Sequence, residues 1–321
     1  MTISHLKNDA ASRADLGARV MLIVLCVIWG TTWPVLKLGL NEIPPLSLRA
    51  LSAGLGALTL YLVCRIKRRS FRIPSAKAWA HVFIASWLNV VAFTVLSSFA
   101  QLTAATSRVA ILAYTMPIWA VPLAWLLLGE RPNRMQAIAL GLCITGLGIL
   151  VYPLTAAGIP LGIVLALSTG VSWAAGTVYL KWANIQADPM GVASWQMTIA
   201  FLVITALMLA IDGGLDLSRA QGGGFLAIFW IGILGNGAAY GLWFTIVRRL
   251  PATTASLGVL GSPVIGVVTS VLILGERPTT ADLVGFALIF SASACVVLTR
   301  RQAPVVISPG IAEQTGDSAR P

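Results

Sequence analysis

The stretch from Leu126 to Tyr152, LLLGERPNRMQAIALGLCITGLGILVY, returns as LILGERPTTADLVGFALIFSASACVVL from Leu272 to Leu298. The register is held by more than the shared Gly-Glu-Arg-Pro turn, because Gly129 and Gly275 stand 146 residues apart and so do Pro117 and Pro263. An apolar run, a proline, a turn and a second apolar run in the same order at the same spacing mark an internal duplication. Any fold for this chain must use one design twice.

The repeated material is lipid-compatible. The 321 residues are 57% hydrophobic and only 10% charged, with a mean hydropathy of +0.86, against ~25% charge in soluble domains. The natural unit is therefore the span of ~20 apolar residues. Apolar runs separated by polar or Gly/Pro punctuation predict ten helices, at residues 20–39, 45–64, 77–100, 104–128, 134–152, 158–180, 189–211, 224–247, 252–274 and 280–299. Pro45, Pro189 and Pro251 fall at span starts, where a missing N–H costs nothing. Gly129 and Gly275 fall where helices need a left-handed cap. The expected organisation is a polar N-terminal segment (1–19), a first five-helix unit (20–152), a second (153–299) and a disordered tail (300–321). The first apolar run has no small-residue cleavage site soon after it and reads as a retained helix.

Ten spans put both termini on one side. With the N-terminus in the cytoplasm, 17 of the 22 Lys and Arg face inward and 5 lie outside, which is the positive-inside asymmetry. It accounts for the net charge of +11 without a nucleic-acid partner. Five spans per unit is an odd number, so the second unit enters the bilayer upside down relative to the first. The predicted fold is an all-α integral membrane protein of ten transmembrane helices in two inverted five-helix repeats. Trp29 with Trp173, and Lys37 with Lys181, both 144 apart, extend the duplication to the opening spans.

Enzyme signatures are missing: the two histidines, His5 and His81, form no metalloprotease motif, and there is no G-x-S-x-G elbow. Cys26, Cys64, Cys143 and Cys295 lack metal-like spacing and read as buried thiols. No cofactor or metal is expected. Inverted repeats are the architecture of many secondary transporters, with a site where the halves meet.

At this point the sequence resembles a family. IWGTTWPVLKLGL (28–40), LRALSAGLGALTLYL (48–62), MPIWAVPLAWLLLGERP (116–132) and SPVIGVVTSVLILGERP (262–278) are similar to the EamA family of the drug/metabolite transporter superfamily. The resemblance covers residues 20–299. It implies ten helices in two inverted repeats and export of amino acids, related metabolites or drugs across the bacterial inner membrane. The partners expected are a small-molecule substrate and the lipid bilayer, with the oligomeric state open. The competing reading is a membrane sensor or assembly protein that keeps the fold without transporting.

Candidate site residues follow from the cost of facing a polar or amphipathic side chain to lipid. Trp29, Thr32 and Trp33 share one side of the first span, with Pro34 just beyond. Asn89 and Asn236 are amides deep in apolar runs, and Tyr240 and Trp243 continue the face of Asn236. Tyr114, Trp173 and Tyr179 are further candidates, followed by Trp195 and Gln196. For each the alternative is packing or interhelical hydrogen bonding. Pro34, Pro117, Pro122 and Pro263 are candidate bends, and Gly237 and Gly241 a close-packing pair. Glu130 and Glu276 are expected at the start of the helix that follows each. Lys37, Arg49 and Arg108 are expected to snorkel to the headgroups; the other option is that they attract an anionic group into the outer mouth.

Overall fold

The computed structural model describes residues 3–129, 131–153, 160–249 and 261–299. Among these there is no β-strand; the elements are helices α1 (Ile3–Leu40), α2 (Pro45–Ile66), α3 (Ala76–Thr103), α4 (Thr106–Leu128), α5 (Arg134–Val151), α6 (Leu161–Ala183), α7 (Pro189–Ile211), α8 (222–249), α9 (Gly261–Leu274) and α10 (Thr280–Thr299). Eight are long and apolar enough to cross a membrane, and the apolar parts of α9 and α10 are shorter. Helix α1 begins at Ile3, well ahead of the expected start at Val20, so the polar N-terminal segment continues the helix. The opening of the ninth expected span with Pro251, the 300–321 tail and Glu130 lie outside the described residues.

Local chemistry sets the helix ends. Gly129 and Gly275 take φ of +69° and +67°, the left-handed cap that a Cβ would disfavour. Helix α5 starts on a reciprocal box in which the Asn133 side chain accepts from the Gln136 N–H and the Gln136 side chain accepts from the Asn133 N–H, both at 2.9 Å. Helix α7 starts with Pro189 after Asp188, whose carboxylate accepts from the N–H of Met190.

Two spans depart from regular α geometry at matching places. Helix α3 widens into a π-helical run over Trp87–Ala92 and α8 does so over Trp230–Ala238. Runs of this kind re-aim the side chains that follow them and frequently mark functional sites. Helix α4 is broken at Tyr114–Thr115 into Thr106–Ala113 and Met116–Leu128. Pro117 therefore sits in the first turn of a helix piece and does not bend one, which corrects the expectation for that residue. Pro34 and Pro122 do lie inside helices.

Packing ties the halves together. Helix α1 lies on α8 and α9, while α6 lies on α3 and α4; α2 packs on α7 and α8, and α7 on α2 and α3; α5 pairs with α10 and α4 with α9. For these principal pairs, exchanging each helix for the one five places along returns the same set. With no water to expel from between helices in lipid, close backbone approach holds such pairs. Gly237 fits this, since a Cβ there would meet Thr59 of α2. Buried clusters run through α3–α6 with α9–α10, and through α2 with α3 and α7. Large apolar side chains such as Ile23, Ile144 and Leu272 point outward, as lipid-facing positions should. Cys26, Cys64 and Cys143 are buried thiols outside any disulfide, and Cys295 is only partly buried.

Three cations do not snorkel as expected. Arg49 is only 5% exposed and bonds to serines of α3. The Lys37 ammonium donates to the Gln101 carbonyl at 2.7 Å. Arg108 forms a two-pronged pair with Asp282, Nε to Oδ1 at 2.6 Å and Nη2 to Oδ2 at 2.9 Å. In each case the acceptor is a group on another helix. Glu276 also differs: it accepts from the N–H groups of Thr106 and Ser107 at 2.6 and 2.9 Å, so it caps α4 of the other half and not the helix that follows it.

Candidate functional site

A cavity of about 110 Å³ lies between α1, α2, α3, α4, α6, α7 and α8. Helices from both halves wall it.

Aromatic rings form two groups around it. On one side the Trp29 ring stands 6.3 Å from Tyr240, edge to face at 76°, and 6.2 Å from Trp243. On the other, Trp33 meets Phe93 at 6.4 Å and Tyr114 at 6.3 Å, and Phe93 meets Trp173 at 4.8 Å. These are separations at which rings attract through their quadrupoles. The four-residue step from Trp29 to Trp33 puts both on one face of α1, so that helix serves both groups.

Polar groups are placed between the rings. The Trp29 indole N–H donates to the Gly235 carbonyl in the π run of α8 at 3.3 Å, which satisfies the ring's polar end and leaves its faces for contact. The Thr32 hydroxyl donates back to the Ile28 carbonyl. Asn236 reaches the Ser52 carbonyl through Nδ2 at 3.5 Å. Asn89, in the π run of α3, is 8% exposed and its Oδ1 has no hydrogen-bond partner. An unpaired buried acceptor is expensive, and here it belongs to a residue that lines the cavity.

Of the residues singled out from the sequence, Trp29, Thr32, Trp33, Asn89, Tyr114, Trp173, Asn236 and Tyr240 all line this cavity. Trp243 does not; it stands behind Trp29. Tyr179 lies elsewhere, bonded to His81 at 2.7 Å. Trp195 donates to the Phe71 carbonyl and packs on Trp79, while Gln196 is buried against α3 through its own carbonyl, which accepts from Ser86.

Sequence reasoning passed over Phe93 and Ser97 and expected Arg49 at the headgroups or the outer mouth, whereas all three line the cavity. A signal for the first two was present. Asn89, Phe93, Ser97 and Gln101 follow one another at four-residue intervals, one face of a helix. For Arg49 the position near a span end pointed to the headgroups, and only its packing against α3 shows otherwise.

The comparisons agree with this architecture. The model of the EamA-like transporter family matches residues 17–152 and again 160–298. The uncharacterized transporter YvbV of Bacillus subtilis (strain 168) is 26% identical over 92% of this chain and 96% of its own length. A probable amino-acid metabolite efflux pump of Escherichia coli (strain K12) is 23% identical over 85% of this chain and 92% of its own. A solved crystal structure superposes with a TM-score of 0.62 at 20% identity, covering 89% of this chain and 99% of the other, which speaks for the fold alone. The relatives are named as transporters and not as enzymes, and the helices are those of a multi-pass membrane protein. The chain belongs to the EamA-like transporter family.

Proposed function

We propose that this protein exports small amphipathic metabolites, amino-acid metabolites among them, across the bacterial inner membrane by alternating access about the central cavity. Its two five-helix units act as inverted repeats, and both termini face the cytoplasm. One observation carries the reading: a cavity is walled by both halves and lined by rings, amides and hydroxyls, next to the π runs of α3 and α8. The rings hold the apolar part of a solute, and Asn89, Asn236 and Thr32 orient its polar end. The exchange pattern of helix contacts supports two arrangements of similar energy, as inverted repeats require. The name of the efflux-pump relative supports the substrate class.

Flux of candidate amino-acid metabolites into proteoliposomes tests the reading. Wild type should show saturable uptake, and Trp29→Ala should lower its efficiency roughly tenfold, the scale of one lost aromatic contact. If no candidate moves, a non-transporting role is the better account. Labelling of single cysteines at Arg131 and Arg277 tests the inversion separately, because reactivity from one common side would remove it.

A further inference from the structure

Arg49 is the one charged residue among those lining the cavity. Its surroundings are built for it. Nε donates to the Ser98 hydroxyl at 2.5 Å and Nη2 to the Ser97 hydroxyl at 3.0 Å. Both serines in turn spend their own protons on the Thr94 carbonyl, at 2.9 and 3.0 Å, so their lone pairs are the atoms turned to the guanidinium. Two of its five N–H donors are used in this way.

None of those partners carries charge. Among the described residues Arg49 forms no ion pair, in contrast to Arg69 with Asp188 and Arg108 with Asp282. A guanidinium cannot shed its proton to escape the cost of burial, and intramembrane cations ordinarily pair or face a functional cavity. The second half does not balance it: the offset of 144 that relates Pro45 to Pro189 takes Arg49 to Ala193. Among the described residues the cavity wall thus holds one fixed positive charge and no carboxylate.

We infer that Arg49 is the counter-charge for the cargo, and that the cavity selects organic monoanions, a carboxylate joined to a flat apolar group, over neutral and cationic solutes of the same shape. The carboxylate replaces the missing partner of the guanidinium, in the geometry that Arg and carboxylate share. The aromatic walls take the apolar group. A cation gains nothing from this site, and a zwitterion would bury an ammonium with no acid to meet it. The inference rests on the transport reading only in calling the occupant a cargo. It also removes the need for an acid relay, since a monoanion leaving a cell that is negative inside moves with the membrane potential.

The test uses the full chain purified in detergent, with quenching of its own tryptophan fluorescence as readout, because Trp29, Trp33 and Trp173 line the cavity. The probes are phenylacetate, phenylacetamide and 2-phenylethylamine, matched in shape and differing in charge, in gluconate buffer. Phenylacetate should bind at least tenfold more tightly than the other two. Arg49→Gln should bring phenylacetate down to the level of phenylacetamide, and Arg49→Lys should keep part of the preference. Equal binding of phenylacetate and phenylacetamide by wild type overturns the inference even where Arg49→Gln does not fold. So does an unchanged ratio in a folded Arg49→Gln, and so does displacement of phenylacetate by chloride at equal concentration, which would assign the charge to an inorganic ion. Absence of flux in proteoliposomes would instead remove the transport reading and leave the measured binding ratio in place.

Discussion

Asn133 and Thr279 stand 146 residues apart and open α5 and α10 with the same reciprocal pair of bonds, but the two boxes sit in different company. In the first half the partners are neutral, an exposed Asn133 with a half-buried Gln136. In the second, the Thr279 N–H and hydroxyl donate to Asp282 at 2.8 and 2.9 Å, and the Asp282 N–H reaches the Thr279 hydroxyl. Asp282 is 3% exposed and also holds Arg108 of α4. Duplication therefore preserved the backbone device that starts a helix, while one copy became a joint between the halves. What a repeated residue does depends on what its partner half presents to it.

The largest effect expected from this contrast comes from Asp282→Asn. The change keeps the shape and much of the cap, but leaves Arg108 without its counter-charge. Breaking one side of a fully buried pair costs on the order of 3–5 kcal/mol, and the 22% exposure of the Arg108 side chain puts this case at or below the lower end of that range. The thermal midpoint of the purified protein should drop accordingly, and Arg108→Gln added to Asp282→Asn should restore part of it. A double variant no better than the single one would show that the pair adds nothing beyond the cap.

Much of this architecture could be read from the residues, and the misses share a cause. The ten apolar runs, the Gly129 and Gly275 caps and most cavity residues were legible because hydropathy, turn chemistry and helical spacing are local. The stripe from Asn89 to Gln101 was equally local and was overlooked. Arg49, Lys37 and Glu276 were misjudged because their partners, Ser98, Gln101 and Thr106, lie on other helices, and distance along a span says nothing about which helix lies opposite. The π runs in α3 and α8 left no trace in composition, since Trp87–Ala92 reads as an ordinary apolar turn. The break at Tyr114 was legible only as a nearby proline.

A middle-sized effect tests the same contrast inside the cavity. Asn89 packs directly against Gly176 of α6, where an added Cβ would run into the amide and come within 3.0 Å of the Asn89 backbone nitrogen. The offset of 144 places Thr32 of α1 at the equivalent point, and there the small residue is Gly235 on the facing helix. The halves thus make room from opposite sides. Gly176→Ala should cost about 1–3 kcal/mol by overpacking and weaken solute binding through Asn89. Thr32→Ala, which only removes atoms beside Gly235, should do less of both. Thermal midpoints and fluorescence titrations of the two variants compare them directly, and equal losses would mean that the facing glycines are not equivalent.

The smallest effect belongs to the exposed box. Asn133→Ala removes the acceptor for the Gln136 N–H and should cost on the order of 1 kcal/mol. Water or headgroups can reach the freed N–H at this exposed turn, whereas Asp282 is 3% exposed and its loss falls on a contact between helices. Transport should be unchanged, because α5 contributes no residue to the cavity wall. The ranking carries the argument more than either value does. If Asn133→Ala lowered the thermal midpoint as far as Asp282→Asn, the two boxes would be interchangeable caps, and the second would have no special share in holding α4 to α10.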